Sequence, residues 1–168
     1  MSQITLNSPS LPAIAALVLG TATIAGAWFF ELVIGLAPCP MCLTQRWPYY
    51  IGLPILALAV VLIKSGNKTL SQICLAAAAV LFVAGAAYGT YHSGVEWRLW
   101  EGPAGCSGGE ELSADVGNLL QELSSAKVVS CVDAAWRFLG LSLAGYNVII
   151  SITIAVLSVM TIMRLRKA

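Results

Sequence analysis

Polar and apolar positions fall into long blocks along this chain, with little short-range alternation. Apolar runs occupy 11–35, 47–63, 70–91 and 143–163. The first carries no charge from Leu11 to Phe30, and the third is relieved by few polar residues, among them Gln72 and Thr90, and a few glycines. A helix that crosses a bilayer needs about 20 predominantly apolar residues, with a range of about 17 to 25. The second run is at the short end and contains Pro48 and Pro54. Proline is tolerated in spanning helices because neighbouring groups satisfy the freed carbonyls. The pattern predicts an all-α integral membrane protein: a four-transmembrane-helix bundle, one membrane domain over 1–168, with loops at 36–46 and 92–142.

The first run also has the small residues of a cleavage site at Ala25-Gly26-Ala27. Residues 1–10 carry no Lys or Arg, however, and the apolar character continues through Trp28, Phe29 and Phe30. A secretory signal has a basic n-region, so the run is expected to be retained as a span.

Within the long loop, Leu112, Val116, Leu119, Leu120 and Leu123 are spaced to share one helix face. The spacing predicts a short amphipathic helix, either covering a small loop core or lying on the bilayer surface. Acidic and amide residues dominate its polar face, which weakens attraction to anionic lipid. Glycines at 102, 105, 108 and 109 surround Cys106. Trp47, Tyr49, Tyr50, Trp97 and Trp100 sit at span ends, where aromatic residues favour the membrane interface.

Composition agrees with a chain built for the bilayer. Of 168 residues, 58% are apolar and 10% charged, against about 25% charged in soluble domains. A net charge of +1 gives no basic field to gather nucleic acid. Lys64 and Lys68 join the second and third runs, and Arg164, Arg166 and Lys167 follow the fourth. By the positive-inside rule these are cytoplasmic, with both termini. The loops at 36–46 and 92–142 are then extracytoplasmic. They hold Cys39, Cys42, Cys106 and Cys131, in a compartment where disulfides persist. Cys74 falls within the third run and reads as a packing residue.

The stretch "PCPMC" carries the chemistry. Residues i and i+3 on a helical turn are neighbours, within reach of a disulfide after small adjustment. Pro40 suits a first helical position and puts Cys39 at the N-cap, where free N–H groups favour thiolate. Arg46, one turn beyond Cys42, adds a permanent positive charge. A reactive pair and a static staple both fit. A zinc site needs four ligands, and Cys106 and Cys131 are not spaced as a second knuckle. Haem attachment needs His where Leu43 stands. No metal site is expected. Arg46 reads either as a thiolate partner or as a residue snorkelling to head groups. His92 reads as an interfacial residue, and Glu31 as one at the water boundary.

With these residues in place, the chain resembles the DsbB family of bacterial inner membranes. The similarity rests on "GLAPCPMCLTQRWPYY", "YHSGVEW" and "SCVDAAWRFLGLSLAGYN", together with four spans in order. The resemblance implies a quinone-dependent, protein-disulfide-forming oxidoreductase. Cys39 and Cys42 match the pair next to a quinone, either ubiquinone or menaquinone. Cys106 and Cys131 match the loop pair that meets a periplasmic thioredoxin-fold thiol oxidase, DsbA-like. The partner attacks at Cys106, Cys131 attacks Cys39, and Cys42 leaves as a thiolate whose electrons pass to the membrane quinone pool, assisted by Arg46. His92 matches a position beside the quinone ring. Two rivals stand beside this expectation. One is a non-enzymatic four-span scaffold stapled by two disulfides. The other is a vitamin K epoxide reductase-like protein, in which the quinone-proximal C-x-x-C lies toward the last span and not after the first.

Overall fold

The computed structural model describes residues 8–103, 106 and 130–167. Helix α1 (Leu11–Leu32) is followed by a single short turn of helix, α2 (Pro40–Thr44), then α3 (Trp47–Lys64) and α4 (Lys68–Glu96). A two-stranded ribbon, β1 (Arg137–Phe138) and β2 (Leu141–Ser142), leads into α5 (Leu143–Lys167). Four helical stretches, with α2 and α3 counted as one, are long and apolar enough to cross a membrane. The molecule is an all-α membrane bundle.

Local sequence explains most of the boundaries. Pro12, Pro40 and Pro48 each sit in the first two positions of a helix, where the missing N–H costs no intrahelical bond. Asn67 caps α4 by accepting from the Leu70 N–H at 3.2 Å. Lys64 closes α3, and Arg164, Arg166 and Lys167 close α5, opposing the negative helix ends.

The long helices pack in a closed ring: α1 against α3, α3 against α4, α4 against α5, and α5 back against α1. Ala13 and Ala16 of α1, Leu56 and Ala59 of α3, Leu75, Ala78 and Phe82 of α4, and Ile154 of α5 form a fully buried core. Small residues let the backbones approach, as is usual between helices in lipid. At Gly52 a β-carbon would lie 2.7 Å from the Phe82 ring. The outer faces are apolar too: Val18, Val61, Ile73 and Val80 are all well exposed. That suits lipid as the surrounding solvent. Cys74 is a free thiol, partly buried and packed against the core.

Three features depart from the sequence pattern. Helix α4 runs five residues past Tyr91, so His92 is helical and not in the loop. Tyr49 is buried within the bundle, not in an aromatic belt, whereas Trp47, Tyr50, Trp97 and Trp100 are exposed. The β1–β2 ribbon was not expected at all. Its turn residues Leu139 and Gly140 have φ of 49° and 83°, and positive φ at both central positions belongs to a type I′ hairpin turn. Phe138 pairs with Leu141, and the Tyr146 hydroxyl donates to the Phe138 carbonyl at 3.1 Å, tying the ribbon to α5. The amphipathic helix expected around 112–123 lies outside the described residues.

Candidate functional site

The C-x-x-C stretch forms the corner between α1 and α3. Cys39 is the N-cap of α2, extended at φ −74° and ψ 163°, and its sulfur accepts the Cys42 backbone N–H at 3.1 Å. Pro40 holds the first helical position. Cys39 and Cys42 are joined by a disulfide with their Cα atoms 5.1 Å apart. The sequence therefore delivers the local donor anticipated at Cys39. With only five residues in α2, that donor is one particular N–H and not a long helix dipole.

His92 comes to this corner from α4. Its Nε2 lies 3.7 Å from the Cys39 sulfur and 3.9 Å from Oε1 of Glu96, one turn along. Its Nδ1 is hydrogen-bonded to the side-chain amide of Gln45. Asn147 of α5 donates to Oε1 of Gln45 at 2.6 Å, and the Tyr49 hydroxyl donates to Oδ1 of Asn147 at 2.6 Å. A chain of four side chains from α3, α5, the α2–α3 turn and α4 thus ends at a sulfur. Two sulfurs and a His92 ring nitrogen lie within 4.8 Å of one another, but sulfurs bonded in a disulfide offer no thiolate to a metal.

Arg46 is buried to 9% exposure. It pairs with Glu31 of α1 at 2.5 Å and lies 5.4 Å from the centre of the Trp28 ring. Its charge is therefore shared between an acid, an aromatic face and whatever enters beside it. A cavity of about 310 Å³ opens here, and Cys42, Gln45, Arg46, Tyr49 and Asn147 contribute its polar side. Apolar groups of α1 and α5, among them Ala27, Phe30 and Ile150, form the rest. His92 does not line this cavity; it stands behind Gln45, on the Cys39 side.

Cys106 and Cys131 form the second disulfide, with Cα atoms 5.0 Å apart. The Cys131 N–H donates to the Cys106 carbonyl at 3.0 Å. Both cysteines are buried, and they share one apolar cluster with Cys39, Met41 and Val95. Cys42 packs against the edge of the same cluster. All four cysteines singled out from sequence therefore meet at one end of the bundle. His92 approaches the Cys39 sulfur, and Arg46 lines the same cavity as Cys42.

Four participants escaped the sequence reading: Gln45, Tyr49, Glu96 and Asn147. Glu31, read as a residue at the water boundary, also pairs with Arg46. Asn147 carried a usable signal. A polar side chain in the apolar stretch "LAGYNVII" faces the interior of a membrane bundle by default.

The family model for disulfide bond formation protein DsbB matches residues 9–161. Disulfide bond formation protein B of Aromatoleum aromaticum (strain DSM 19018 / LMG 30748 / EbN1) is 30% identical over 144 residues, 82% of this chain and 82% of that protein. Disulfide bond formation protein B of Albidiferax ferrireducens (strain ATCC BAA-621 / DSM 15236 / T118) is 27% identical over 141 residues, covering 81% and 77% respectively. An uncharacterized protein of Rickettsia prowazekii (strain Madrid E) is 26% identical over 132 residues, covering 77% and 74%. No solved structure matches the chain.

Proposed function

The chain belongs to the DsbB family of membrane proteins for disulfide bond formation, and from that premise we propose that it reoxidises a periplasmic thioredoxin-fold dithiol oxidase and delivers the electrons to a membrane quinone. The observation that carries this reading is the placement of the Cys39–Cys42 pair. One of its sulfurs belongs to the cluster that holds the loop disulfide, and the other faces an apolar cavity beside a buried arginine.

The steps follow from thiol–disulfide exchange, in which a thiolate attacks one sulfur of a disulfide and the other leaves as thiolate. A thiolate of the partner attacks Cys106, breaking the Cys106–Cys131 bond and releasing Cys131. The partner's second thiolate closes its own disulfide and releases Cys106. Cys131 then attacks Cys39, and Cys42 leaves as thiolate into the cavity beside Arg46. Attack by Cys106 on Cys131 restores the loop disulfide and leaves Cys39 as a second thiolate, within reach of His92. Two electrons have moved from the partner to the inner pair, and each bond broken is matched by one formed. Because Cys106 is buried in the closed form, the first attack needs its sulfur to be uncovered.

The cavity suits a quinone head group. Its volume is at the low end of the range for ligand sites, about 300–1,000 Å³, and it is apolar with a few convergent polar groups. Cys42, Arg46, Gln45, Tyr49 and Asn147 would hold the ring. A bound quinone supplies a two-electron, two-proton acceptor that returns the Cys39–Cys42 pair to its disulfide. Arg46 opposes negative charge on Cys42 in a poorly screened setting. Glu31 fixes the guanidinium, which keeps that charge from drifting to the lipid head groups.

Lys64, Lys68, Arg164, Arg166 and Lys167 lie at the end of the bundle opposite the cysteines. They support an inner-membrane orientation with cytoplasmic termini and periplasmic sulfurs. In reconstituted bilayers containing ubiquinone, the protein is expected to oxidise a reduced thioredoxin-fold oxidase, with one quinone reduced per partner disulfide. Partner oxidation that survives replacement of both Cys39 and Cys42 overturns the reading.

A further inference from the structure

We infer that Gln45, Asn147 and Tyr49 are positioning residues that hold His92 in its Nε2–H form and so aim a hydrogen-bond donor at the Cys39 sulfur.

Both ends of the chain of side chains fix the tautomer of His92. At the sulfur end, the nearest polar neighbours of Nε2 are the Cys39 sulfur at 3.7 Å and a Glu96 carboxylate oxygen at 3.9 Å. A disulfide sulfur has no proton to give, and a carboxylate accepts. A lone pair on Nε2 would face acceptors alone, whereas a proton there is directed at the Cys39 sulfur, with the Glu96 oxygen beyond hydrogen-bond distance.

At the far end, Tyr49 gives its hydroxyl proton to Oδ1 of Asn147. The amide of Asn147 is thereby turned so that its NH₂ faces Gln45 and donates to Oε1. Gln45 then has only its own NH₂ left for His92, and an amide NH₂ donates without accepting. Nδ1 must supply the lone pair, which places the ring proton on Nε2. Two independent ends therefore assign the same tautomer.

The relay crosses the bundle through residues 47, 98 and 102 positions apart in sequence. Small neighbours hold it in place. A β-carbon at Gly89 would lie 3.4 Å from both Asn147 Nδ2 and Gln45 Oε1. Gln45, Asn147 and Tyr49 also line the cavity, so an occupant there touches the same side chains that orient His92. The consequence for chemistry rests on the function proposed above. When Cys39 becomes a thiolate, the Nε2–H is already directed at it, and no ring flip or proton rearrangement precedes its stabilisation.

The chain has one histidine, so protein labelled with ¹⁵N-histidine gives a single imidazole, and its two nitrogens report the tautomer directly. This readout needs neither partner nor quinone. The wild-type oxidised protein is expected to show a proton on Nε2 and a hydrogen-bonded lone pair on Nδ1. Gln45→Leu and Asn147→Leu are expected to give a mixture of tautomers. Tyr49→Phe, the mildest change, is expected to shift the population in the same direction. In each variant, closure of a reduced Cys39–Cys42 pair by added ubiquinone should slow by about tenfold, the order of one hydrogen bond to a charged group. A proton on Nδ1 in the wild-type protein overturns the inference, whatever the variants do. So does an unchanged tautomer and rate in all three variants. Nε2–H in a protein that never reduces quinone leaves the inference standing and removes the function proposed for the site.

Discussion

Cys39 and Cys42 are three residues apart on one helical turn, with a backbone donor, an imidazole and a buried guanidinium around them. Cys106 and Cys131 are 25 residues apart in sequence, and among the described residues one backbone hydrogen bond and apolar packing hold them together. The two disulfides touch the same cluster, so their difference is not one of location. The inner pair has groups placed to receive negative charge on sulfur. The outer pair has a long tether: closing a loop of that length removes roughly 3 to 4 kcal/mol of chain entropy in the simplest account. The outer pair thus closes a long loop in sequence, which suits a bond that exchanges with a protein partner. Opening the inner pair produces charge inside a fixed frame, which suits a bond that meets a small acceptor.

The largest test of that contrast removes one sulfur from the inner pair. Cys42→Ser is expected to lower quinone-linked oxidation of the partner by roughly a thousandfold or more, the scale seen when a covalent participant is lost. Mass spectrometry should still find Cys106 and Cys131 reacting with the partner. Loss of both reactions together would mean that the two pairs are not separable devices.

Next in size is Arg46→Ala. Removing one fixed charge from a buried reaction site costs on the order of a hundredfold. Stopped-flow measurement of quinone absorbance should show that loss. Exchange between the partner and the loop pair should change by less than about twofold, since Arg46 lines the cavity on the Cys42 side and its charge is already paired with Glu31. Equal slowing of the two half-reactions would break the comparison. Glu31→Gln is expected to act in the same half-reaction and less strongly.

Gly89→Ala sharpens the contrast from inside the frame. Its β-carbon would lie 2.9 Å from Val148 and 3.4 Å from the Gln45 and Asn147 side chains. Crowding of this kind costs about 1–3 kcal/mol, read as lowered thermal stability in detergent. Quinone reduction should slow several-fold, with partner exchange at the loop pair untouched. The smallest expected effect is at Cys74, outside both pairs. Cys74→Ala should leave turnover within about twofold and cost no more than about 1 kcal/mol, as for a partly buried small side chain.

The fold was legible because a bilayer imposes a length on every apolar run, and the four runs met it. The end of α4 was not, because the polar residues from His92 to Glu96 end the apolar pattern while the helix continues. Hydropathy stops where lipid stops, but helical hydrogen bonds are local and run on. The ribbon turn at Leu139-Gly140 lacks the Asn-Gly or Asp-Gly pair that marks such turns in sequence. In the site, Cys39, Cys42 and Arg46 were readable because their relation is a spacing along one stretch. Gln45 and Tyr49 were not. Their meaning lies in contacts across about a hundred residues, and each taken alone is an ordinary amide or an interfacial aromatic. The pairing of Glu31 with Arg46 was hidden for the same reason: the partner is on another element.

The contrast between the two pairs reduces to one claim, that the inner pair alone meets the small acceptor. Protein with Cys106→Ser and Cys131→Ser, reduced at Cys39 and Cys42 and mixed with one equivalent of ubiquinone, tests it in a single turnover. The expected result is one quinol and one Cys39–Cys42 disulfide per chain, formed without any partner present. Quinone that stays oxidised while both thiols remain free, in protein that is folded and bilayer-embedded, contradicts it.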